Sequence, residues 1–143
     1  MGQAPKPLTG IHVFVVDEHD DLREVITSIL AYFGALVTSA RSIGDALPAL
    51  RHMTPDVVVC DLDLGGEGAY AFIRTLRDQP PPLGRVPVLA TTGSRHEHPV
   101  SRVQAAGFDA RLAKPFAPDM LCALVAALAR RTDLPGSPPE PPS

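Results

Sequence analysis

The chain has 143 residues, 45% of them hydrophobic and 20% charged, with a net charge of −3. That length suits one domain with a buried core, and the acidic balance offers no basic field for nucleic acid or an anionic membrane surface. No apolar run approaches the ~20 residues of a membrane span, and MGQAPKPLTG lacks the apolar core of a signal peptide, so the cytoplasm is the expected compartment. Cys60 and Cys122 sit in apolar surroundings without metal-ligand spacing and read as buried free thiols. Sixteen prolines crowd the loops and the end PGSPPEPPS. Residues 1–9 and 132–143 therefore read as disordered extensions of a folded part spanning 10–131.

Residues 11–16 form a nearly continuous apolar run, as expected of a strand buried on both faces. Leu22, Val25, Ile26, Ile29, Leu30 and Phe33 then recur at steps of three and four, one stripe of a helix. Asp20 is the expected N-cap and Gly34 the expected residue just past its end. Residues 36–40 read as a second strand. A weaker helix over 42–52 carries Pro48, which predicts a late start or a kink. Residues 56–60 (DVVVC) read as a third strand, 69–77 as a helix and 86–91 as a fourth strand. A short helix over 100–106 is closed by Gly107, 111–113 is a brief fifth strand, and 117–130 is the last helix.

Strands alternating with helices imply right-handed crossovers and an α/β doubly wound parallel sheet, with helices on both faces. In such sheets chemistry gathers at the carboxyl ends of the strands. Asp17 and Glu18 follow the first strand, Asp61 the third, Thr92 the fourth and Lys114 the fifth. Three carboxylates at one edge raise one another's pKa unless a cation joins them, and an oxygen set of this kind suits Mg²⁺. With the Thr92 hydroxyl and the Lys114 ammonium, the set describes a pocket for a phosphoryl group with a carboxylate nucleophile. Asp20 and Asp21 read as first-turn charges, with His19 a spacer. His12 and His52 carry no signal. His96-Glu97-His98 lies in a polar loop without a third ligand in view.

In order along the chain, VVDEHDDLREVI, DVVVCDLDLGG, PVLATTG and LAKPF resemble the receiver domain of two-component response regulators, over about residues 10–130. The resemblance implies a five-stranded flavodoxin-like sheet of order 2-1-3-4-5. It implies Asp61 as phosphoacceptor, with Thr92 and Lys114 contacting the phosphoryl group. Mg²⁺ would be held by Asp17, Glu18, Asp61 and the backbone carbonyl of Asp63. It also implies a cis Lys114–Pro115 bond, and a phosphohistidine donor on a histidine kinase or histidine phosphotransfer protein. The resulting switch would alter binding of a downstream protein, without direct contact to nucleic acid or membrane, and the chain would not be an enzyme.

The sequence departs from that pattern at two places. The family's switch aromatic, three residues before the lysine, is Arg111 here. The loop LDLGGEGAY lacks the common Met-Pro and reads as one residue short before Gly68. Asp63 adds a side-chain acid expected to alter the phosphoryl lifetime, and Ser94 borders the pocket. Two other readings compete. A degenerate receiver would be a protein-binding module without phosphorylation, with Arg111 its best support. DLDLGG also resembles the nucleophile motif of haloacid-dehalogenase-like phosphatases, but here the acid pair precedes it and the later acids Asp119 and Asp133 are unpaired. Read as complete, the chain carries no output domain; read as a fragment, it is the receiver of a hybrid kinase or of a larger regulator.

Overall fold

Every side chain from Val13 to Val16 is fully buried, which is why this apolar run forms an interior strand. A computed structural model, which describes residues 6–65, 68–94 and 96–133, makes it β1 (His12–Val16). The others are β2 (Leu36–Ala40), β3 (Val57–Asp61), β4 (Val88–Thr92) and β5 (Ala110–Ala113). All pair in parallel, in the order β2-β1-β3-β4-β5. Parallel strands need crossovers. These are supplied by α1 (Asp20–Tyr32), α2 (Ile43–Leu50), α3 (Gly68–Arg77) and α4 (Val100–Ala106), and α5 (Pro118–Asp133) follows the last strand. The doubly wound α/β architecture expected from the sequence is the one found.

Alternation along each strand divides the core in two. Phe14, Val16, Val58 and Cys60 pack with Phe72, Ile73 and Leu76 of α3 on one face. Val13, Val15, Val57 and Val59 pack with Ile26 and Leu30 of α1 and Leu121 and Val125 of α5 on the other. Strands β1 and β3 are thus sealed on both sides, and what emerges at their carboxyl ends is held in a fixed place.

Several boundaries move. Asp61 and Thr92 are the last residues of β3 and β4 rather than the first residues beyond them. Asp20 is not the N-cap of α1: His19 holds that position with extended backbone and no side-chain cap bond, and Asp20 is the first helical residue. The cause lies upstream, where Asp17 Oδ1 accepts the His19 amide at 2.8 Å and turns the chain one residue early. Helix α2 starts at Ile43 with the Ser42 hydroxyl accepting the Asp45 amide at 3.1 Å, keeps Pro48 inside, and stops at Leu50. A 3₁₀ turn, Leu83–Arg85, follows the proline loop and was not anticipated. Leu8, in the segment expected to be a disordered extension, is fully buried and donates its amide to the Phe33 carbonyl at 2.9 Å. Residues 1–5 and 134–143, where disorder is expected, lie outside the described residues.

Candidate functional site

The strand register brings four chain segments to one edge. Val16 pairs with Cys60, Asp61 with Thr91 and Thr92 with Ala113, so the residues after β1, β3, β4 and β5 emerge side by side. Asp17 is fully buried and Asp61 is 1% exposed. Lys114 Nζ donates to Asp61 Oδ1 at 3.0 Å, and the Asp63 amide donates to the same oxygen at 3.2 Å. Arg23 on α1 fixes the other acid by donating to the Asp17 carbonyl at 2.8 Å, while its second nitrogen holds Asp20.

Two oxygens are left over. Asp17 Oδ2 and Asp61 Oδ2 are buried and have no hydrogen-bond partner among the described residues. Orphaned carboxylate oxygens in a dry site cost free energy unless a cation meets them. The Nδ1 atom of His19 stands between the two acids, 3.1 Å from Asp17 Oδ1 and 3.5 Å from Asp61 Oδ2. The donor atoms of Asp17, His19 and Asp61 all lie within 4.8 Å of one another. The arrangement fits a divalent metal: two buried carboxylates, each with an unused oxygen, converge on one point.

The other predicted residues are distributed less tightly. The Glu18 side chain is exposed and does not join the cluster of Asp17, His19 and Asp61. Asp63 turns its side chain away from Asp61, with Oδ2 accepting the Gly93 amide at 3.0 Å. The Thr92 hydroxyl is buried and occupied by Ser94: it donates to the Ser94 carbonyl at 3.1 Å and accepts the Ser94 amide at 3.0 Å. His19, Asp20, Asp21, Leu22, Asp63 and Lys114 line an open cleft over the site, so the first-turn acids border it after all. The Lys114–Pro115 bond is cis, as expected. Burial, reinforced by Asp61 and Asp17, pushes the Cys60 thiol far up, and burial also raises Cys122, which fits inert core cysteines.

Sequence reasoning passed over two histidines. His19, a spacer by sequence, stands at the acids. His98 was read as part of a polar loop and is only 7% exposed, with Nδ1 2.8 Å from the Tyr70 hydroxyl. The i to i+2 step from Asp17 was a usable signal for His19, since an aspartate that accepts the amide two residues on curls that residue back over it. No comparable local signal marked His98.

Residues 13–126 match the response regulator receiver domain family. The chain belongs to this family. Among curated relatives, the virulence sensor protein BvgS of Bordetella bronchiseptica is 34% identical over 141 residues, covering 95% of this chain and 11% of that protein. The DNA-binding transcriptional regulator NtrC of Escherichia coli K12 is 34% identical over 114 residues, covering 79% of this chain and 24% of that protein. The chain thus spans less than a quarter of the length of either. The receiver domain of the Francisella response regulator 1452 superposes with a TM-score of 0.76 at 25% identity, over 87% of this chain and 100% of that one. Receiver domains of two-component systems are signalling modules rather than true enzymes, and membership carries that standing to this receiver. Among the described residues no helix is long and apolar enough to cross a membrane.

Proposed function

We propose that this receiver is a phosphorylation switch of a cytoplasmic phosphorelay. It takes a phosphoryl group onto Asp61 from a phosphohistidine of a histidine kinase or histidine phosphotransfer protein, and in doing so alters its binding to a downstream protein. The observation that carries the reading is the pair of unpartnered buried oxygens on Asp17 and Asp61, with Lys114 held against the second acid. Asp17 and Asp61 would hold Mg²⁺, joined by Glu18 through an outward side chain and by the Asp63 carbonyl. The bound ion would supply positive charge opposite the transferred oxygens.

The chain's own groups account for the rest. Lys114 and the Asp63 amide hold the Asp61 carboxylate in place, so that one of its oxygens would bond phosphorus as the P–N bond to the donor imidazole breaks while the other remains for the metal. The ammonium of Lys114 is then a point charge beside the new phosphoryl group. The Thr92 hydroxyl must leave Ser94 to reach that group, exchanging two hydrogen bonds of ordinary length for one to an anion. This exchange is the step by which phosphorylation would move the β4–α4 loop. Beryllofluoride tests the proposal: a Mg²⁺-dependent complex in the wild type that disappears in Asp61→Asn is expected, and no complex in the wild type would sink it.

A further inference from the structure

Three ligand-type side chains outside the Asp17–Asp61 pair converge where the β3–α3 and β4–α4 loops meet. They are Asp63, Glu97 and His98, with donor atoms within 4.8 Å of one another. His98 is more than nine-tenths buried, unusual for a loop histidine, and it is held from behind. Its Nδ1 is 2.8 Å from the Tyr70 hydroxyl of α3, and the two rings stack with centroids 5.6 Å apart. The Arg102 guanidinium lies over the Tyr70 ring, 4.3 Å from its centre. The ring of His98 is therefore fixed, and its Nε2 faces Asp63 Oδ1 at 3.4 Å.

A neutral imidazole leaves that contact unsatisfied. With the proton on Nδ1, donated to the Tyr70 oxygen, an Nε2 lone pair faces a carboxylate oxygen. With the proton on Nε2, the separation is beyond the usual ~2.7–3.2 Å of an N–H···O bond. A cation between the two atoms resolves both cases. A tetrahedral Zn²⁺ with ligands at ~2.0–2.1 Å holds neighbouring donors about 3.3 Å apart, close to the separation found. Glu97 is exposed and free to complete the set from solvent. Asp63 is already braced by the Gly93 amide at Oδ2.

We propose that Asp63, Glu97 and His98 bind a borderline transition-metal ion of the Zn²⁺ class, at a site separate from Asp17 and Asp61. One imidazole and two carboxylates select such an ion over Mg²⁺, which prefers oxygen ligands alone. Tyr70 is the positioning residue, holding the tautomer that presents Nε2. The ion would tie the loop after the Asp61 strand to the loop after Thr92, and so restrain the segment that the hydroxyl of Thr92 must move. This site does not depend on phosphoryl transfer to Asp61.

The experiment is calorimetric titration of tag-free protein with ZnCl₂ in excess Mg²⁺, with circular dichroism confirming the fold of each variant. Saturable binding of a single Zn²⁺ is expected in the wild type and equally in Asp61→Asn and His19→Ala. His98→Ala should abolish it, Glu97→Gln should weaken it at least tenfold, and Tyr70→Phe should weaken it about tenfold. Glu97 is exposed, so its variant leaves the fold intact. Absence of saturable binding in the wild type, or undiminished binding in Glu97→Gln, would overturn the site. Loss of binding in Asp61→Asn or His19→Ala would do the same, by locating the ion at the other cluster.

Discussion

Replacing Lys114 with Met removes the cation that balances the buried acids without much change in volume. Lys114 Nζ lies 3.0 Å from Asp61 Oδ1, and its side chain is 20% exposed. At an effective dielectric near ~20 that pair attracts by about 5 kcal/mol before desolvation. The Asp17 and Asp61 donor atoms, within 4.8 Å, repel by roughly 3 kcal/mol on the same footing. Truncating one partner of a buried pair costs ~3–5 kcal/mol, and the partial exposure of the lysine puts Lys114→Met at the lower end, about 3 kcal/mol. For a domain of this size that is a fall of about 10 °C in Tm. In the Lys114→Met background, where no cation is left to lose, Asp61→Asn should recover most of the loss by relieving the repulsion. Mg²⁺ should raise the Tm of Lys114→Met by more than that of the wild type, because a more negative site binds the ion more tightly. Thermal and urea unfolding, with and without Mg²⁺, measure all of this. Equal stability of Lys114→Met and wild type, or failure of Asp61→Asn to restore it, would refute the balance of charges described.

The half-life of the Asp61 phosphoryl group should differ between wild type and Asp63→Asn, since the side-chain charge at the loop is removed while the contact to Gly93 is kept; identical decay dismisses the role of that acid. Arg77→Ala should cost about 3 kcal/mol in urea unfolding. Its guanidinium donates to the carbonyls of Gly84, Val86 and Gly107 and to Asp109, and Arg77→Lys should restore less than half, because an ammonium cannot span four acceptors. A loss under about 1 kcal/mol would show those acceptors to be met otherwise. Arg111→Phe should stabilise by about 1 kcal/mol, because Nε and Nη1 of Arg111 are buried without partners among the described residues; destabilisation would reveal a partner for the guanidinium.

The sheet was legible because its interior strands are sealed on both faces, which writes them as apolar runs with nothing to confuse them with a surface helix. Asp17 and Asp61 were legible for the same reason: each ends such a run, and the sheet leaves one place for them to go. The strand ends were less so, since Asp61 and Thr92 are polar by type but complete the strands by backbone pairing. Asp20 looked like a cap by type, but Asp17 had already captured the His19 amide, a contact between a strand end and a turn that residue preference does not encode. His98 and Arg77 were invisible for a deeper reason. Their partners are 28 and 30 residues away in the chain, so only the assembled fold brings Tyr70 and Gly107 to them.

Arg111 shows how a departure from the family pattern changes the physics of the switch. It pairs with Ala90 on β4, and its neighbour Leu112 packs in the cluster of α1 and α5, so Arg111 projects from the opposite face of β5. An aromatic at that position gains by burying itself, and can follow Thr92 inward at little cost. A guanidinium whose Nε and Nη1 are already buried and unpaired gains by leaving, since water or an acceptor would meet both groups. The two side chains therefore respond to a loosened β4–α4 loop with opposite sign. Under the proposed switch, release of Ser94 by Thr92 would favour outward movement of a cation at β5 rather than inward movement of a ring. The surface offered to a partner would then become more positive, where an aromatic switch would make it less apolar.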